Sequence, residues 1–304
     1  MRHYSDPELK GLVSLPEAVA ALEAAFAALA RAEASVQMRF TTTSGAIQLS
    51  TMAAILPHAG YCSSKVYTRI GNQYSFVILL FSAEDGRLLA TFDAGELTKL
   101  RTAAVSCLAA KYMARPDART LVVFGTGRQA EAHLTALPIM FAFESIHVVS
   151  RGDAREFVER IGAEIGRPIT QAAPGDALPQ ADIIVTATRS AVPLFRGELL
   201  QEGCFVAAVG SAVPQNAELG ADTVRRCDRI AVEAIDHAQH EAGDLVQAAA
   251  AGVLTWEAVM TLGDLAIGKV RGRVSDHEIT LFKSVGCVLE DVAVAAVAYE
   301  KLSA

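Results

Sequence analysis

The stretch TLVVFGTGRQA, residues 120–130, decides the fold of the second half of this chain. Its β-type run, Thr120 to Phe124, leads directly into Gly125-Thr126-Gly127-Arg128-Gln129-Ala130, and a helical pattern continues to about Met140. In such a G-x-G-x-x-A turn the first glycine permits a tight bend, the second lets the backbone approach a pyrophosphate, and the small final residue lets the helix pack close to the strand. The helix N-terminus attracts phosphate. The stretch therefore predicts a dinucleotide-binding site at residues 125–130.

Strand and helix patterns continue beyond this turn. The run Ser145 to Val149 follows the helix, and further apolar runs occupy residues 182–187, 205–209 and 230–235. A strand, a crossover helix and a second strand in this order predict a parallel sheet with right-handed connections. We therefore expect an α/β, Rossmann-type domain of about six parallel strands over residues 116–290.

The residues before the turn have a different organisation. Ser14-Leu15-Pro16-Glu17 has the pattern of a helix N-terminus, with a capping box and a proline in the first turn. Residues 40–91 consist of short β-branched and aromatic runs broken by glycines, as expected for a sheet with tight connections. A second helical stretch, residues 96–114, ends at Arg115-Pro116, because proline disfavours helix at the residue before it. Residues 1–115 are therefore predicted to form an α+β domain.

The composition narrows the class of partners. The 304-residue chain carries 27 Lys and Arg against 34 Asp and Glu, a net charge of −7, and lacks the dense basic run that a phosphate backbone requires. Its first ten residues lack the apolar core of a secretory signal, and no apolar run approaches the roughly 20 residues needed to cross a bilayer. We expect a cytoplasmic protein without a nucleic-acid or membrane partner.

The cysteines and histidines give no sign of a metal site. The five cysteines stand singly, without a C-x-x-C pair, which is typical of reduced thiols. His237, His240 and Glu241 are the closest group of metal-ligand residue types, but no further ligand is indicated at a suitable spacing. A solvated helical face is the better interpretation, and no metal is expected.

The residues after the second strand of the nucleotide domain bear on the choice of cofactor. Enzymes that prefer NAD place Asp or Glu there, about 20 residues after the glycine turn, to accept from the ribose hydroxyls. This chain has Ser150-Arg151-Gly152, with no carboxylate, and the guanidinium of Arg151 is suited to a 2′-phosphate. NADP is therefore favoured. A merely solvated Arg151 and the use of both NAD and NADP stay open.

Three cations of the first domain stand among apolar or small residues: Arg39, Lys65 and Arg101. Taken singly, each is more often a solvated surface charge than a ligand. The segment around the last one, Leu97-Thr98-Lys99-Leu100-Arg101-Thr102-Ala103-Ala104, is far more specific. It resembles the L-T-x-x-R-T-A-A segment of the ornithine cyclodeaminase/mu-crystallin family.

The resemblance extends in order along the chain, from about Arg39 to Asp291. The turn at residues 125–130 resembles the nucleotide turn of the family, and the sequence EAGDL at residues 241–245 resembles its E-x-G-D-L segment. Two further segments, at residues 268–273 and 279–286, resemble its G-K-x-x-G-R and T-L-F-K-S-V-G segments. Because chance agreement of ordered motifs is negligible, the chain is identified as a member of this family.

The resemblance implies a homodimer, in which the first domain and the C-terminal helix, residues 291–304, form the dimerisation and substrate-binding unit. It also implies that Arg39, Lys65 and Arg101 surround the carboxylate of a small imino or amino acid. The chemistry agrees with this role, since guanidinium forks and an ammonium orient a small carboxylate well.

The resemblance assigns two further residues, and the chemistry of the imine assigns a third role. Thr102 is implied to lie near the cofactor, and Glu241 to hold the iminium. Lys65 is the candidate to supply a proton to the imine nitrogen, provided that neighbouring arginines lower its pKa.

Members of the family divide into cyclodeaminases and NAD(P)H-dependent reductases or dehydrogenases. Cyclodeaminases carry an aspartate where this chain has Ala212, and a methyl group can neither accept a proton nor pair with an ammonium. We therefore expect the NAD(P)H-dependent reduction of a cyclic ketimine carboxylate, such as Δ1-pyrroline-2-carboxylate or Δ1-piperideine-2-carboxylate, to the cyclic L-amino acid. Ornithine cyclodeamination, alanine dehydrogenase-type activity and a non-enzymatic NADP-binding role stay open as alternatives.

Overall fold

The computed structural model describes residues 2–71 and 73–303. The chain divides into two compact units, residues 1–105 with 286–304 and residues 106–285. This division falls inside a long helix, Gly95–Met113, whereas the sequence predicts a boundary at residue 115, after that helix. A continuous helix shows no break in its local pattern where the packing partners change, so the sequence indicates only where the helix ends.

The described residues of the first unit form a mixed sheet and four helices. Its strands are β1 (Arg2–Tyr4), β2 (Ser35–Val36), β3 (Phe40–Ser44), β4 (Ile47–Leu56), β5 (Tyr61–Ile70), β6 (Gln73–Ser82) and β7 (Leu88–Asp93). Its helices are α1 (Asp6–Leu9), α2 (Leu15–Ala30), α3 (Gly95–Met113), which continues into the second unit, and the C-terminal α11 (Val288–Ser303). A 3-10 turn occupies Pro57–Ala59. The strand order is β1-β7-β6-β5-β4-β2, with β3 also paired to β4.

The two faces of this sheet have different surroundings. Helix α11 packs against β4, β5, β6 and α2. Because side chains alternate along a strand, the buried Met52 of β4 shares a face with its cross-strand partner Lys65, and that face is covered. The opposite face of the same strands carries Ile47 and Leu49, which are exposed. One face of the sheet thus forms the core of the unit, and the other presents apolar side chains.

The second unit is a parallel sheet with helical connections. Its strands are β8 (Thr120–Phe124), β9 (Ser145–Val149), β10 (Thr170–Gln171), β11 (Ile183–Thr186), β12 (Phe205–Ala208), β13 (Arg229–Val232), β14 (Met260–Thr261) and β15 (Thr280–Lys283). Its helices are α4 (Arg128–Met140), α5 (Arg155–Ile165), α6 (Pro174–Ala177), α7 (Ala221–Arg225), α8 (Ile235–Glu241), α9 (Gly243–Ala250) and α10 (Leu262–Ala266). Further 3-10 turns occupy Leu178–Gln180, Gly197–Leu199 and Trp256–Ala258.

The topology of this sheet confirms the predicted fold class. The strand order is β10-β9-β8-β11-β12-β15-β13-β14, and every pairing is parallel. The sequence located β8, β9, β11, β12 and β13 but did not assign β15, which lies between β12 and β13. A four-residue strand that carries Lys283 lacks the apolar run that signals a buried strand, and only its neighbours place it in the sheet.

Candidate functional site

A cleft of about 840 Å³ opens at the carboxyl ends of β8, β9, β11 and β12 in the second unit. From β8 the strand order runs to β9 and β10 on one side and to β11 and β12 on the other, so the order of the strands reverses at β8. This is the position at which open α/β sheets bind ligands. The cleft is lined by residues 124–129, 149–152, Pro174, 187–190, Leu194, 209 and 210.

The two glycines of the turn fit a bound dinucleotide. Gly125 has φ of +107°, and a Cβ at this position would lie 2.6 Å from the carbonyl oxygen of Ala187, so a side chain would be both strained and blocked. At Gly127, the N-cap of α4, a Cβ would meet nothing within 4 Å. The backbone there is open to a bulky phosphate at the positive end of a helix. The cleft therefore suits a dinucleotide.

The residues predicted to bind the cofactor lie in two environments. The cleft is lined by Gly125, Thr126, Gly127, Arg128, Gln129, Ser150 and Arg151. Ala130 is fully buried in α4, which packs against β8. Its small side chain permits that close packing, which is the structural part of the motif.

Two cleft segments escaped the sequence reasoning. Residues 187–190 follow β11, and Val209 and Gly210 follow β12. Neither segment has a glycine-rich signature. The available signal was positional, because the carboxyl ends of neighbouring parallel strands meet at the same edge of a sheet.

A buried carboxylate, Glu218, joins these two segments. Its Oε1 accepts hydrogen bonds from the backbone N–H and the hydroxyl of Thr188, each at 2.7 Å. Its Oε2 accepts from the hydroxyl of Thr186 at 2.9 Å and from the N–H of Gly210 at 2.8 Å. Burial raises the pKa of Glu218, while Lys283 and these donors oppose the rise. Glu218 thus holds together the walls of the cleft that follow β11 and β12.

A buried ion pair between Asp244 and Lys283 supports the backbone at Glu218. Asp244 accepts the backbone N–H groups of Glu218 and Leu219 at 2.7 and 2.8 Å, and it pairs with Lys283 at 2.7 Å. Lys283 also donates to the carbonyl of Ser211 at 2.7 Å. Both charged side chains are inaccessible to solvent. The E-x-G-D-L and T-L-F-K-S-V-G segments therefore meet in one buried ion pair, which sequence reasoning did not connect.

The residues after β9 form a polar loop at one end of the cleft. The hydroxyl of Ser150 donates to the carbonyl of Gly152 at 2.6 Å. Arg151 is exposed and lines the cleft. Arg155 forms a bidentate pair with Asp153, with contacts of 2.7 to 3.1 Å. Arg151, rather than Arg155, is therefore the arginine presented to a ligand in this loop.

In the first unit, Lys65 is the centre of a buried ionic cluster. Its ammonium donates to the hydroxyl of Thr98 at 2.7 Å and to Asp291 Oδ1 at 2.8 Å. The side chain is only 3% exposed. The pKa of Lys65 is lowered to about 8, mainly by burial and also by the charge of Arg101, while Asp291 acts in the opposite direction. A proton on Lys65 is therefore exchangeable near neutral pH.

Arg101 belongs to the same cluster. Its Nη1 donates to Glu290 Oε2 at 2.6 Å, and its Nε lies 3.7 Å from the Asp291 oxygen that Lys65 contacts. The structure thus brings together two of the predicted substrate cations, Lys65 and Arg101. Their carboxylate partners, Glu290 and Asp291, were not predicted from the sequence, which placed Glu290 at the end of the nucleotide domain and Asp291 at the start of the C-terminal helix.

The other predicted site residues occupy separate places. Arg39 is half-buried in the loop before β3. Thr102 is buried in α3, where its hydroxyl donates to the carbonyl of Thr98 at 2.8 Å. Glu241 is half-buried and ends α8 in the second unit. The roles given to Arg39, Thr102 and Glu241 stay predictions.

Neither a metal centre nor a membrane span emerges from the described residues. Within residues 2–71 and 73–303, no three side chains of the His, Cys, Asp and Glu types are grouped so as to hold a metal ion. The helices in these ranges are also too short or too polar to cross a membrane.

Comparison with known proteins places the chain among nicotinamide-dependent enzymes. The model of the ornithine cyclodeaminase/mu-crystallin family matches residues 5–304. The chain is 32% identical to a Δ1-pyrroline-2-carboxylate reductase of Bacillus cereus over 312 aligned residues, covering 97% of this chain and 94% of that protein.

Two solved structures have the same fold over nearly their whole length. One is a probable ornithine cyclodeaminase from Bordetella pertussis, with a TM-score of 0.97 and 44% identity, covering 100% of this chain and 97% of that one. The other is the Δ1-pyrroline-2-carboxylate reductase of Thermococcus litoralis in complex with NADH and L-proline, with a TM-score of 0.94 and 28% identity. That likeness covers 100% of this chain and 98% of the other.

Proposed function

The chain belongs to the ornithine cyclodeaminase/mu-crystallin family, and on that premise we propose that it is a reductase of small cyclic ketimine carboxylates. The substrate class is Δ1-pyrroline-2-carboxylate or Δ1-piperideine-2-carboxylate, and the product is the cyclic L-amino acid. The relatives named as pyrroline-2-carboxylate reductases support this choice.

The proposal is supported most directly by the buried ammonium of Lys65. An imine becomes a better hydride acceptor when its nitrogen is protonated, so the reaction needs a proton donor close to neutral pH. Lys65 has a pKa lowered to about 8 by burial, and Thr98 and Asp291 hold its ammonium in place. Lys65 is therefore assigned as the donor to the imine nitrogen.

The reaction also requires a group that holds the substrate carboxylate, and an arginine can do so. Arg101 is held by Glu290 in the Lys65 cluster, and its planar guanidinium is suited to a carboxylate. Arg39 is assigned a supporting contact with the same carboxylate, and Glu241 a contact with the iminium. When bound, the reduced nicotinamide supplies the hydride that adds to C2 of the imine.

The cofactor is assigned to the cleft of the second unit, with a preference for NADP. The glycine turn and the N-terminus of α4 would hold the pyrophosphate. Arg151 would pair with the 2′-phosphate, which supports NADP, while Arg155 is already paired with Asp153. The relative from Thermococcus litoralis binds NADH, so the assay compares both reduced cofactors.

We assign the interface of a homodimer to the exposed face of the first sheet. Large apolar side chains share this face and are exposed: Phe40 at 69%, Ile47 at 42%, Leu49 at 44% and Ile70 at 53%. Adjacent exposed apolar side chains on a sheet mark an interface, and a second copy of the same face is the simplest partner.

Cyclodeamination of ornithine is the second candidate. The structural similarity to a probable ornithine cyclodeaminase favours it. Ala212 opposes it, because this side chain packs against the hydrophobic core and offers no carboxylate for the substrate amine.

An assay panel on the purified chain tests the proposal. NADPH and NADH oxidation would be followed with pyrroline-2-carboxylate, with piperideine-2-carboxylate and with pyruvate plus ammonia, and proline formation would be followed from ornithine. We expect the cyclic imines to exceed pyruvate in kcat/KM by on the order of tenfold or more. Lys65→Met should abolish imine reduction, and the exposed Lys10→Met is the matched control. Proline from ornithine without imine reduction would overturn the proposal.

A further inference from the structure

We propose that Asp291 and Glu290, adjacent residues of the C-terminal helix, are positioning residues of the active site. Asp291 orients the ammonium of Lys65 and keeps it charged, and Glu290 holds the guanidinium of Arg101. The inference rests on the proposed function for the roles of Lys65 and Arg101, but the contacts that support it belong to the first unit alone.

Two of the three N–H groups of Lys65 donate to protein acceptors, which leaves one for a substrate. One donates to Thr98 and one to Asp291. Among the described residues, no acceptor takes the third, and the ring of Phe76 lies 5.2 Å from the ammonium. Since Thr98 and Asp291 fix two directions of the tetrahedral ammonium, the direction of the remaining proton is fixed as well. This is the arrangement that a directed proton donor requires.

Asp291 also decides the charge of Lys65. The charged groups that act on this ammonium are Asp291 and Glu290 from α11 and Arg101 from α3. Burial and Arg101 favour the neutral amine, whereas Asp291 and Glu290 favour the ammonium. Without Asp291, desolvation and the neighbouring cation would therefore lower the pKa of Lys65 toward neutrality.

Glu290 holds Arg101 with one carboxylate oxygen and is itself anchored through the other. Its Oε2 accepts from Arg101, and its Oε1 accepts the backbone N–H of Cys287 at 3.1 Å. The carboxylate is thereby anchored at the start of α11. Gly286 has φ of +81°, and a Cβ there would lie 3.0 Å from Arg101 Nη1, so the guanidinium lies directly against this turn. Arg101 is therefore held in one place before a substrate arrives.

A purely structural role would be to attach α11 to the sheet. The two roles differ in what Asp291→Asn does, because the amide keeps the size and hydrogen-bonding capacity of the side chain but removes its charge. Either role lowers the pKa of Lys65 in Asp291→Asn, because the lost charge acts on the ammonium directly. A purely structural role leaves the pH profile of kcat/KM in place, whereas a positioning role moves its alkaline limb together with the pKa of Lys65.

The experiment measures the pKa of Lys65 directly by NMR of the full chain labelled with ¹³C-lysine, without substrate or cofactor. The resonance of Lys65 is assigned by its absence in Lys65→Arg. In Asp291→Asn we expect the pKa to fall by roughly one unit or more. Glu300→Gln, which removes a carboxylate from an exposed position of the same helix, should leave it unchanged. An unchanged pKa in folded Asp291→Asn would overturn the inference.

Kinetics separate this inference from the proposed function. With the imine, kcat/KM should fall as pH rises through about 8 in the wild type, because the donor loses its proton. Asp291→Asn should move this limb to lower pH, and Glu290→Gln should mainly raise KM. A shifted Lys65 resonance in a chain that reduces no imine would leave the inference standing and overturn the proposed function.

A second variant covers the case in which Asp291→Asn does not fold. Asp291→Glu keeps the charge but displaces the carboxylate along the side chain. We expect its alkaline limb to stay near that of the wild type, while kcat falls by about tenfold because the ammonium is misdirected. A kcat equal to that of the wild type would count against the positioning role.

Discussion

The backbone N–H of Gly210 donates a hydrogen bond of 2.8 Å to the carboxylate of Glu218, and a Cβ at Gly210 would collide with that same carboxylate. The carbonyl of Thr188 would meet the added atom as well. Glu218 also accepts two hydrogen bonds from Thr188, so one buried side chain connects the cleft walls that follow β11 and β12. The shape of this part of the cleft depends on the absence of a side chain at Gly210.

Gly210→Ala should therefore weaken both the fold and cofactor binding. Overpacking against buried backbone and a carboxylate costs about 1 to 3 kcal/mol. We expect a lower unfolding midpoint in urea and a Kd for NADPH raised on the order of tenfold. Gly175→Ala is the matched control, since a Cβ there meets nothing within 4 Å and Gly175 lies in helix α6. Equal midpoints and affinities for the two variants would contradict the role given to Glu218.

Arg151→Asp should shift the preference from NADPH toward NADH. The substitution removes a cation suited to the 2′-phosphate and introduces a carboxylate that accepts from ribose hydroxyls. The ratio of kcat/KM for NADPH to that for NADH should fall by roughly 100-fold. Arg225→Asp, the same charge change at an exposed position of α7, controls for the overall charge of the unit. If both variants keep the wild-type ratio, the phosphate is recognised by other residues.

His133 should make the protein sensitive to acid. Burial lowers its pKa to about 4 from 6.5. Its Nδ1–H donates to the carbonyl of Gln129, so Nε2 accepts from the hydroxyl of Ser106 at 2.8 Å. Between about pH 6.5 and about pH 4 the unfolded chain binds a proton that the folded chain does not, so stability is lost as pH falls through this window, by at most roughly 3 kcal/mol.

Urea unfolding between pH 7 and pH 4.5 measures this loss. The pH dependence should shrink in His133→Gln and remain in the exposed His58→Gln. A loss of stability in acid that is the same in all three proteins would assign the effect to other groups.

Leu49→Arg should convert the proposed dimer to monomers. Leu49 is exposed on the apolar face of the first sheet, and a charge buried there against a second copy would be left without a partner. Light scattering after size-exclusion chromatography measures the change. Ile139→Arg, at an exposed position of α4 in the second unit, is the control and should keep the wild-type mass. A wild-type chain that is monomeric at micromolar concentration would remove this interface.

The sequence alone determined the features that depend on short-range order. Strand β8, the glycine turn and α4 are contiguous, so their geometry follows from the spacing of glycines and apolar residues. The same holds for Ser150 and Arg151, which follow the next strand directly. The family motif at residues 97–104 located Arg101, whereas Lys65 was predicted as a cation among small and apolar residues, with a role implied by the resemblance.

Only the tertiary structure decided which side chains act on one another. Lys65 and Asp291 are separated by 226 positions, and Arg101 and Glu290 by 189, yet each pair is in contact. Glu218, Asp244 and Lys283 are likewise joined only by the packing of separate segments. Local patterns specify helices and strands because those form from neighbouring residues, whereas a buried charge takes its partner, and so its pKa, from chain segments that folding brings to it.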